Sequence, residues 1–544
     1  MITKRLFALS ITFVLLTSVV FARGSQNRDG SATTAATSGI TFTVSLNEDI
    51  VAVDPGLAWD FTTNPVINQI TEGLVTLDEH SNIVPQLAKS WQQVDDLTYV
   101  YEVRDDIVFS DGTPMTMDDV IFSLKRVQDP DGGTYFSWLY EDVESFTQTA
   151  PWQLTIKLRN PSTTFKYYPT TAGGRIISKA YFERHTADFG TASGGIIATG
   201  PFVYQSWTSG QEVVLKRNTN YWNKTAAAAN IIDTLVFKII PEDITRVIAM
   251  RDGSVDFIIN PPLDMIDQLA ADTNLALTSV DTYSLAYLAF NTQRAPFNDA
   301  NVRKAVYHAL NLPEFQRNIV KTAGSAGTVL PFGTALYGDN AAQWRSYLST
   351  APSYAYDLAK AHEYLAQSAY PNGFSCSVII NAASLSNSRA LFLQNALAPL
   401  NINVEIQRLS NEEQSTYQAG GVFDADGNRD YDMIFAGWEA DYPDLNANIE
   451  ILYHSSQAGK NGYNAAAYNK PEVDSLIEAQ RVTIDPARRF EIQKQLMDII
   501  VNDVPYIIFD YPTKQSVLNR RYTGVAISAA WLWMLPMQNV RRVN

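Results

Sequence analysis

Between Leu235 and Ile259 the chain changes its period twice. Leu235-Val-Phe-Lys-Ile-Ile240 is an apolar run of strand composition, Glu242 to Arg251 carries helical spacing, and after the Asp252-Gly253 turn Val255-Asp-Phe-Ile-Ile259 is apolar again. Strand, helix and strand at this spacing read as a βαβ unit, in which a covering helix joins two parallel strands. The pattern predicts an α/β chain whose core is a largely parallel sheet covered by helices. The second half repeats the texture, with helices over 357–367 and 389–400, a strand at Ile402-Asn-Val-Glu-Ile406, and a closing strand from Val504 to Phe509. A long helix starts at Asp485-Pro486, where proline in the first turn behind an aspartate cap is a strong start signal, and reaches about Val501. At 544 residues, 46% of them apolar and 18% charged, the chain can bury more than one core, and two or three domains are expected.

Ile40-Thr-Phe-Thr-Val-Ser alternates at period two and predicts the first strand. From Leu74 to about Thr199 the texture turns to strand and turn: Thr98 to Arg104 and Trp152 to Leu158 alternate, Asp111-Gly112-Thr113-Pro114 is a turn, and Thr116 caps a helix through Arg126. A small inserted α/β domain accounts for this region. Further on, Asn298 or Asp299 caps a helix whose apolar stripe is Val302, Ala305, Val306, Ala309 and Leu310, with Arg303 and Lys304 assigned to its solvent face.

Lys4 and Arg5 precede the apolar run Leu6 to Phe21, with Val20-Phe21-Ala22 at the cleavage positions, which is the layout of a secretory signal peptide over residues 1–22. Residues 23–39 are rich in Ser, Thr, Ala and Gly and predict a flexible tether. Cys376 is the single cysteine, so no intrachain disulfide forms, and no cysteine stands near the signal to carry a lipid. Cys376 itself reads as a small core residue of a strand. Export without a lipid anchor points to a bacterial periplasm. A net charge of -16 and the absence of any Lys/Arg-rich run exclude a nucleic-acid partner, which needs a basic face for phosphates.

The five histidines have no metal-ligand spacing, and neither a Gly-x-Ser-x-Gly elbow nor a phosphate loop is present, so no metal, cofactor or catalytic residue is assigned. Asp424-x-Asp426-x-Asn428-x-Asp430 opens like a calcium loop, but Gly427 and Phe435 stand where its later positions fail, so the run reads as a solvated acidic turn. The most informative stretch is Gly437-Trp438-Glu439-Ala440-Asp441-Tyr442-Pro443-Asp444, directly after the buried apolar run Tyr431 to Ala436. Acids therefore gather at a strand end, and Pro443 turns the chain so that Asp441 is held in place. A carboxylate beside Trp438 and Tyr442 suits a cation, because a charge-assisted hydrogen bond and the negative ring faces act together.

An ordered set of segments resembles the extracytoplasmic solute-binding proteins of family 5, which deliver oligopeptides and dipeptides to ATP-driven importers. They are Leu87-Ala88-Lys-Ser-Trp91, Tyr99 to Arg104, Phe109 to Pro114, Thr199-Gly200-Pro201-Phe202, Tyr221-Trp222, Phe290-Asn291, Pro296 to Asp299 with Val302-Arg303-Ala305, and Trp438 to Asp444. The resemblance runs from about Ile40 to the end. It implies a periplasmic-binding-protein-like fold of class II, cluster C: two lobes with an extra domain inserted in the first. The first lobe then comprises residues 40–71, 199–291 and 517–544, the inserted domain 72–198, and the opposite lobe 292–516, with crossover strands near Asn291 and Val517.

By the same resemblance Asp441 binds the α-amino group of the ligand, and the backbone of Gly437, Trp438 and Glu439 pairs with an extended peptide as an added strand. Arg389 corresponds to an arginine that receives a ligand carboxylate in dipeptide binders, Tyr135 to a pocket-lining tyrosine, and Trp59 to a loop that contacts ligand. An arginine often found ahead of the Gly-Trp pair is replaced here by Phe435. The implied function is capture of oligopeptides by a non-enzymatic monomer that passes them to an inner-membrane ABC permease and its ATPase subunits. Two other readings stay open: the same fold holding a nickel chelate, sugar, opine or haem, and an exported hydrolase using Glu439 and Asp441.

Overall fold

A computed structural model describes residues 39–530 and 534–543 of the chain, so the signal and nearly all of the tether lie outside the described residues. Twelve strands form one mixed sheet. In chain order they are β1 (Ile40–Leu46), β2 (Phe202–Thr208), β3 (Glu212–Arg217), β4 (Ile232–Ile239), β5 (Phe257–Ile259), β6 (Leu275–Asp281), β7 (Ser284–Phe290), β8 (Gly324–Ala326), β9 (Phe374–Ile380), β10 (Ile402–Arg408), β11 (Met433–Glu439) and β12 (Tyr506–Asn519). Across the sheet the order is β2-β3-β4-β1-β5-β12-β7-β11-β9-β10, with β6 and β8 also paired to β12.

Parallel pairing is confined to β1 with β4 and β5, and to β9 with β10 and β11; the other pairs are antiparallel. The largely parallel sheet expected from the βαβ texture is thereby corrected. A βαβ unit fixes only the strands it joins, whereas β12 is long enough to run antiparallel along β5, β6, β7 and β8 in turn.

That long strand holds two halves of the sheet together. Tyr506 to Asp510 pair with β7, and Thr513 to Asn519 pair with β6. Only Thr282 and Tyr283 separate β6 from β7, so the chain passes from half to half at this point and again near Pro512. The crossings touch: Thr282 Oγ1 donates to the Pro512 carbonyl at 2.8 Å. Of the boundaries drawn from sequence, 291 falls just past the end of β7 and 517 falls inside β12.

Each half buries its own core. Phe42, Val44, Phe202, Leu235, Phe257 and Leu518 form that of the first. In the second, β7 is buried along its whole length. Its side chains alternate, Tyr287 and Ala289 entering one core with Ile434 and Tyr506, Leu288 and Phe290 another with Phe435 and Phe509. A separate four-stranded sheet takes the order Ala88–Asp95, Thr98–Val103, Gln153–Leu158, Val143–Ala150. Helix Met117–Gln128 packs on it behind a capping box formed by Thr116 and Asp119.

Helix Ala300–Ala309 starts at the Asp299 cap and buries the expected stripe, but Arg303 does not face solvent. It is 5% exposed, and its guanidinium donates to the carbonyls of Phe297 (2.7 Å), Asp503 (2.5 Å) and Val504 (3.1 Å). Asp503 ends helix Pro486–Asp503, so the arginine satisfies orphan carbonyls where the helix dipole also favours a cation. Cys376 lies in β9 and is 6% exposed.

Candidate functional site

A cleft of about 1510 Å3 is lined from both halves of the sheet and from the insert: Ser45, Leu46 and Ile259 come from the first half, Ser284 to Ala286, Phe435 to Glu439, Asp441 and Tyr442 from the second, and Tyr135, Phe136, Trp138 and Leu139 from the insert. Trp59, Tyr135, Arg389, Gly437, Trp438, Glu439 and Asp441, singled out by sequence, all line it.

Strand β11 delivers the central group. It pairs with β7 along its length, Ser284 opposite Glu439 and Ala286 opposite Gly437, whereas β9 meets its other edge only at Met433 and Ile434. From Phe435 to Glu439 that second edge has no partner strand among the described residues and borders the cleft. Two carbonyls on it are instead capped by side chains of helix Asn411–Gln418: Gln414 Nε2 donates to Phe435 O at 3.0 Å and Gln418 Nε2 to Gly437 O at 2.8 Å. These glutamines were missed at the sequence level, although their i, i+4 spacing puts them on one helix face.

The acids of the stretch have different fates. Glu439 accepts from the Ser284 hydroxyl and, at 3.2 Å, from the Tyr283 backbone N–H. Burial pushes its carboxyl up to about 7, against the pull of the nearby Lys514 ammonium, with the Asp441 charge adding to the rise. Asp444 is held by Arg489 through two hydrogen bonds of 2.8 Å, a largely enclosed bidentate pair. Asp441 has no hydrogen-bond or ion partner among the described residues. Its side chain is open to the cleft space, yet the surrounding walls strip enough hydration to push its carboxyl up to about 6. The two observations describe one situation: a carboxylate facing a cavity that protein encloses.

Its aromatic neighbours are fixed by their own contacts. Trp438 Nε1 donates to Ala447 O at 3.0 Å, and its ring lies 5.1 Å from that of Tyr463. Tyr442 is buried and stacks on Tyr167, with centroids 6.0 Å apart. Trp59 and Tyr135 are 59% and 57% exposed, unusual for such large apolar surfaces, and meet edge to face at 6.5 Å. The loop bearing Trp59 is anchored by Asp54, whose carboxylate accepts from Gly56 N and pairs bidentately with Arg126.

Arg389 lies on helix Ser384–Leu397 and reaches the cleft, but its Nε and Nη2 donate to the Asp510 carboxylate at 2.7–3.2 Å. Its guanidinium is thus already engaged. At the acidic turn, Asp424 Oδ1 accepts from the backbone N–H of Asp426 and Asn428, and no cluster of three or more His, Cys, Asp or Glu suited to a metal exists among the described residues. No helix among them is long and apolar enough to cross a membrane.

The model for bacterial extracellular solute-binding proteins, family 5 (middle region), matches residues 82–460. The chain belongs to this family. Among relatives of this family 5 protein, the glutathione-binding protein GsiB of Escherichia coli K12 is 26% identical over 498 residues, covering 91% of this chain and 92% of GsiB. In solved structures, the ABC transporter-associated periplasmic binding protein DppA of Helicobacter pylori, in complex with peptide STSA, superposes with a TM-score of 0.77 at 23% identity, covering 93% of this chain and 98% of DppA. NikZ of Campylobacter jejuni, in complex with Ni(L-His), gives 0.75 at 20% identity, covering 92% and 99%. The fold is that of periplasmic binding proteins, two lobes with an additional domain, and family 5 members are solute-binding proteins of ABC importers rather than enzymes.

Proposed function

We propose that this protein is a periplasmic receptor that captures oligopeptides and hands them to an inner-membrane ABC permease driven by its ATPase subunits. The observation that carries this reading is the Asp441 carboxylate, unpartnered among the described residues and turned to a cavity large enough for several residues. An anion kept in poor hydration without a counterion is costly, and a ligand ammonium removes that cost on binding. Losing such a charge-assisted contact weakens binding by about 3 kcal/mol.

The open edge of β11 supplies the rest. A peptide lying along Phe435 to Glu439 extends the sheet and gains main-chain hydrogen bonds that do not depend on its sequence. The side-chain amides of Gln414 and Gln418 hold two of the acceptors in the meantime and share or release them as the peptide docks. Trp59 and Tyr135 offer exposed rings to ligand side chains. Because Asp510 holds Arg389, a ligand carboxylate there competes with an existing pair, and the far end of the peptide is read weakly. The two halves close over ligand about the crossings at Thr282 and Pro512. The signal-peptide layout of residues 1–22 supports export.

A second reading keeps the receptor and changes the cargo, since GsiB carries a glutathione-binding name and NikZ a nickel-histidine complex. Native mass spectrometry of the protein as purified separates the two. Bound masses that fragment as peptides support the proposal; a sugar, haem or metal chelate as the sole guest rejects it. Peptide recovered intact after long incubation excludes a hydrolase.

A further inference from the structure

Beside the main cleft lies a small chamber of about 60 Å3, and Asp441 and Arg175 both line it. Apolar walls come from Trp59, Phe136 and Trp138. On the measure that about 10–15 Å3 admits one water, the chamber holds about four waters or one short side chain.

Arg175 is the anomaly. It is 4% exposed, yet no carboxylate comes within ion-pairing distance among the described residues. One terminal nitrogen donates to Asn68 Oδ1, and Nε has no hydrogen-bond partner among the described residues. The acid whose charge reaches it, Glu72, makes its hydrogen bonds elsewhere: its oxygens accept from Tyr221 Oη at 2.9 Å and Trp222 Nε1 at 2.7 Å. Burial raises the Glu72 carboxyl to about 7 and lowers the Arg175 guanidinium to about 10; each charge pulls the other back toward its ionised form, but not enough to offset burial, so Glu72 is a weak counterion at a distance. Among the described residues the other buried arginines have a counterion or a full set of acceptors: Arg246 pairs with Asp243, and Arg303 and Arg429, which also lack a carboxylate within ion-pairing distance, donate from Nε and both terminal nitrogens, to backbone carbonyls and, for Arg429, also to the Tyr431 hydroxyl. A buried guanidinium that lacks both a counterion and a full set of acceptors is expensive in a folded protein unless an incoming anion completes it.

We propose that Arg175 is the anion-reading group of a subsite for the ligand's first residue, so that a carboxylate on that residue's side chain enters the chamber while Asp441 holds the adjacent ammonium. The ligand class is a peptide whose amino-terminal residue is acidic. The inference rests on the peptide reading above, in which Asp441 receives the amine.

Calorimetry with Glu-Ala-Ala, Gln-Ala-Ala and Ala-Ala-Ala tests it on the wild-type protein and on Arg175→Gln. The wild type is expected to favour Glu-Ala-Ala over the isosteric Gln-Ala-Ala by about 30-fold, the scale of a desolvated charge pair, and Arg175→Gln to collapse that ratio to within about threefold. Equal affinity for the two peptides in the wild type overturns the subsite and needs no variant. A preference that persists in a folded Arg175→Gln protein overturns the assignment to Arg175; should that variant fail to fold, Arg175→Lys, which keeps the charge but not the fork, must still narrow the ratio. If Ala-Ala-Ala binds but acid at the first position gains nothing, the subsite falls and the peptide reading stands. If none of the three binds, both fall.

Discussion

Asp441 and Asp444 stand three residues apart on one loop, and the protein treats them in opposite ways. Asp444 is clamped by Arg489 in a bidentate pair, its side chain 10% exposed. Asp441 has no partner among the described residues and faces the cleft. The same contrast separates Arg389, paired with Asp510, from Arg175, which has no carboxylate within ion-pairing distance among the described residues. Charges that serve the fold are neutralised by a counterion or, as at Arg303 and Arg429, saturated with backbone acceptors, and the charges left open mark where something from outside completes the structure.

The largest effect that could break this comparison is on stability. Replacing Asp444 by Ala leaves the largely enclosed Arg489 with Gln480 but no counterion and is expected to cost about 3 kcal/mol in denaturant unfolding. Asp441→Asn should cost none of that, since no contact among the described residues is lost. Equal destabilisation by the two substitutions would erase the distinction. The next effect is on binding: Asp441→Asn is expected to weaken an oligopeptide by about 3 kcal/mol, roughly 150-fold in calorimetry.

A smaller effect sharpens the comparison through pH. Burial raises the Asp441 carboxyl from 3.8 to about 6 in the folded protein. A raised carboxyl pKa contributes stability that is present below pH 3.8 and lost as pH rises through about 6. Binding runs the other way, because the ligand amine stays protonated and needs the ionised acid. Peptide affinity should therefore fall by up to about tenfold per unit below pH 6, and this dependence should flatten in Asp441→Asn. The smallest effect concerns Arg389: with Asp510 already on its guanidinium, amidating the peptide's C-terminus should change affinity by less than about threefold, the scale of a weak exposed pair.

What the sequence made legible was local. The Thr116, Asp299 and Asp485 caps, the buried run ahead of Gly437 and the core role of Cys376 each depend on neighbours within a few positions, and spacing displays them. The aromatic and acidic cluster after β11 was visible for the same reason. What stayed hidden depends on distant partners. Arg303 looked solvent-facing by helical spacing, but two of its three acceptor carbonyls, those of Asp503 and Val504, lie about 200 residues on. Arg389 carried no sign of Asp510, 121 residues away. Arg175 left no trace at all, because a missing counterion is a property of the assembled interior. The mixed sheet escaped for a related reason: β12 pairs with strands from both halves, and no local period encodes that.

The central claim is that the Asp441 carboxylate receives a ligand ammonium, and the most direct measurement is a calorimetric cycle of free and N-acetylated peptide against wild type and Asp441→Asn. The account predicts that acetylation weakens wild-type binding by about 100-fold and the variant by less than about threefold, since the two changes remove one interaction. Equal losses in both proteins would contradict it.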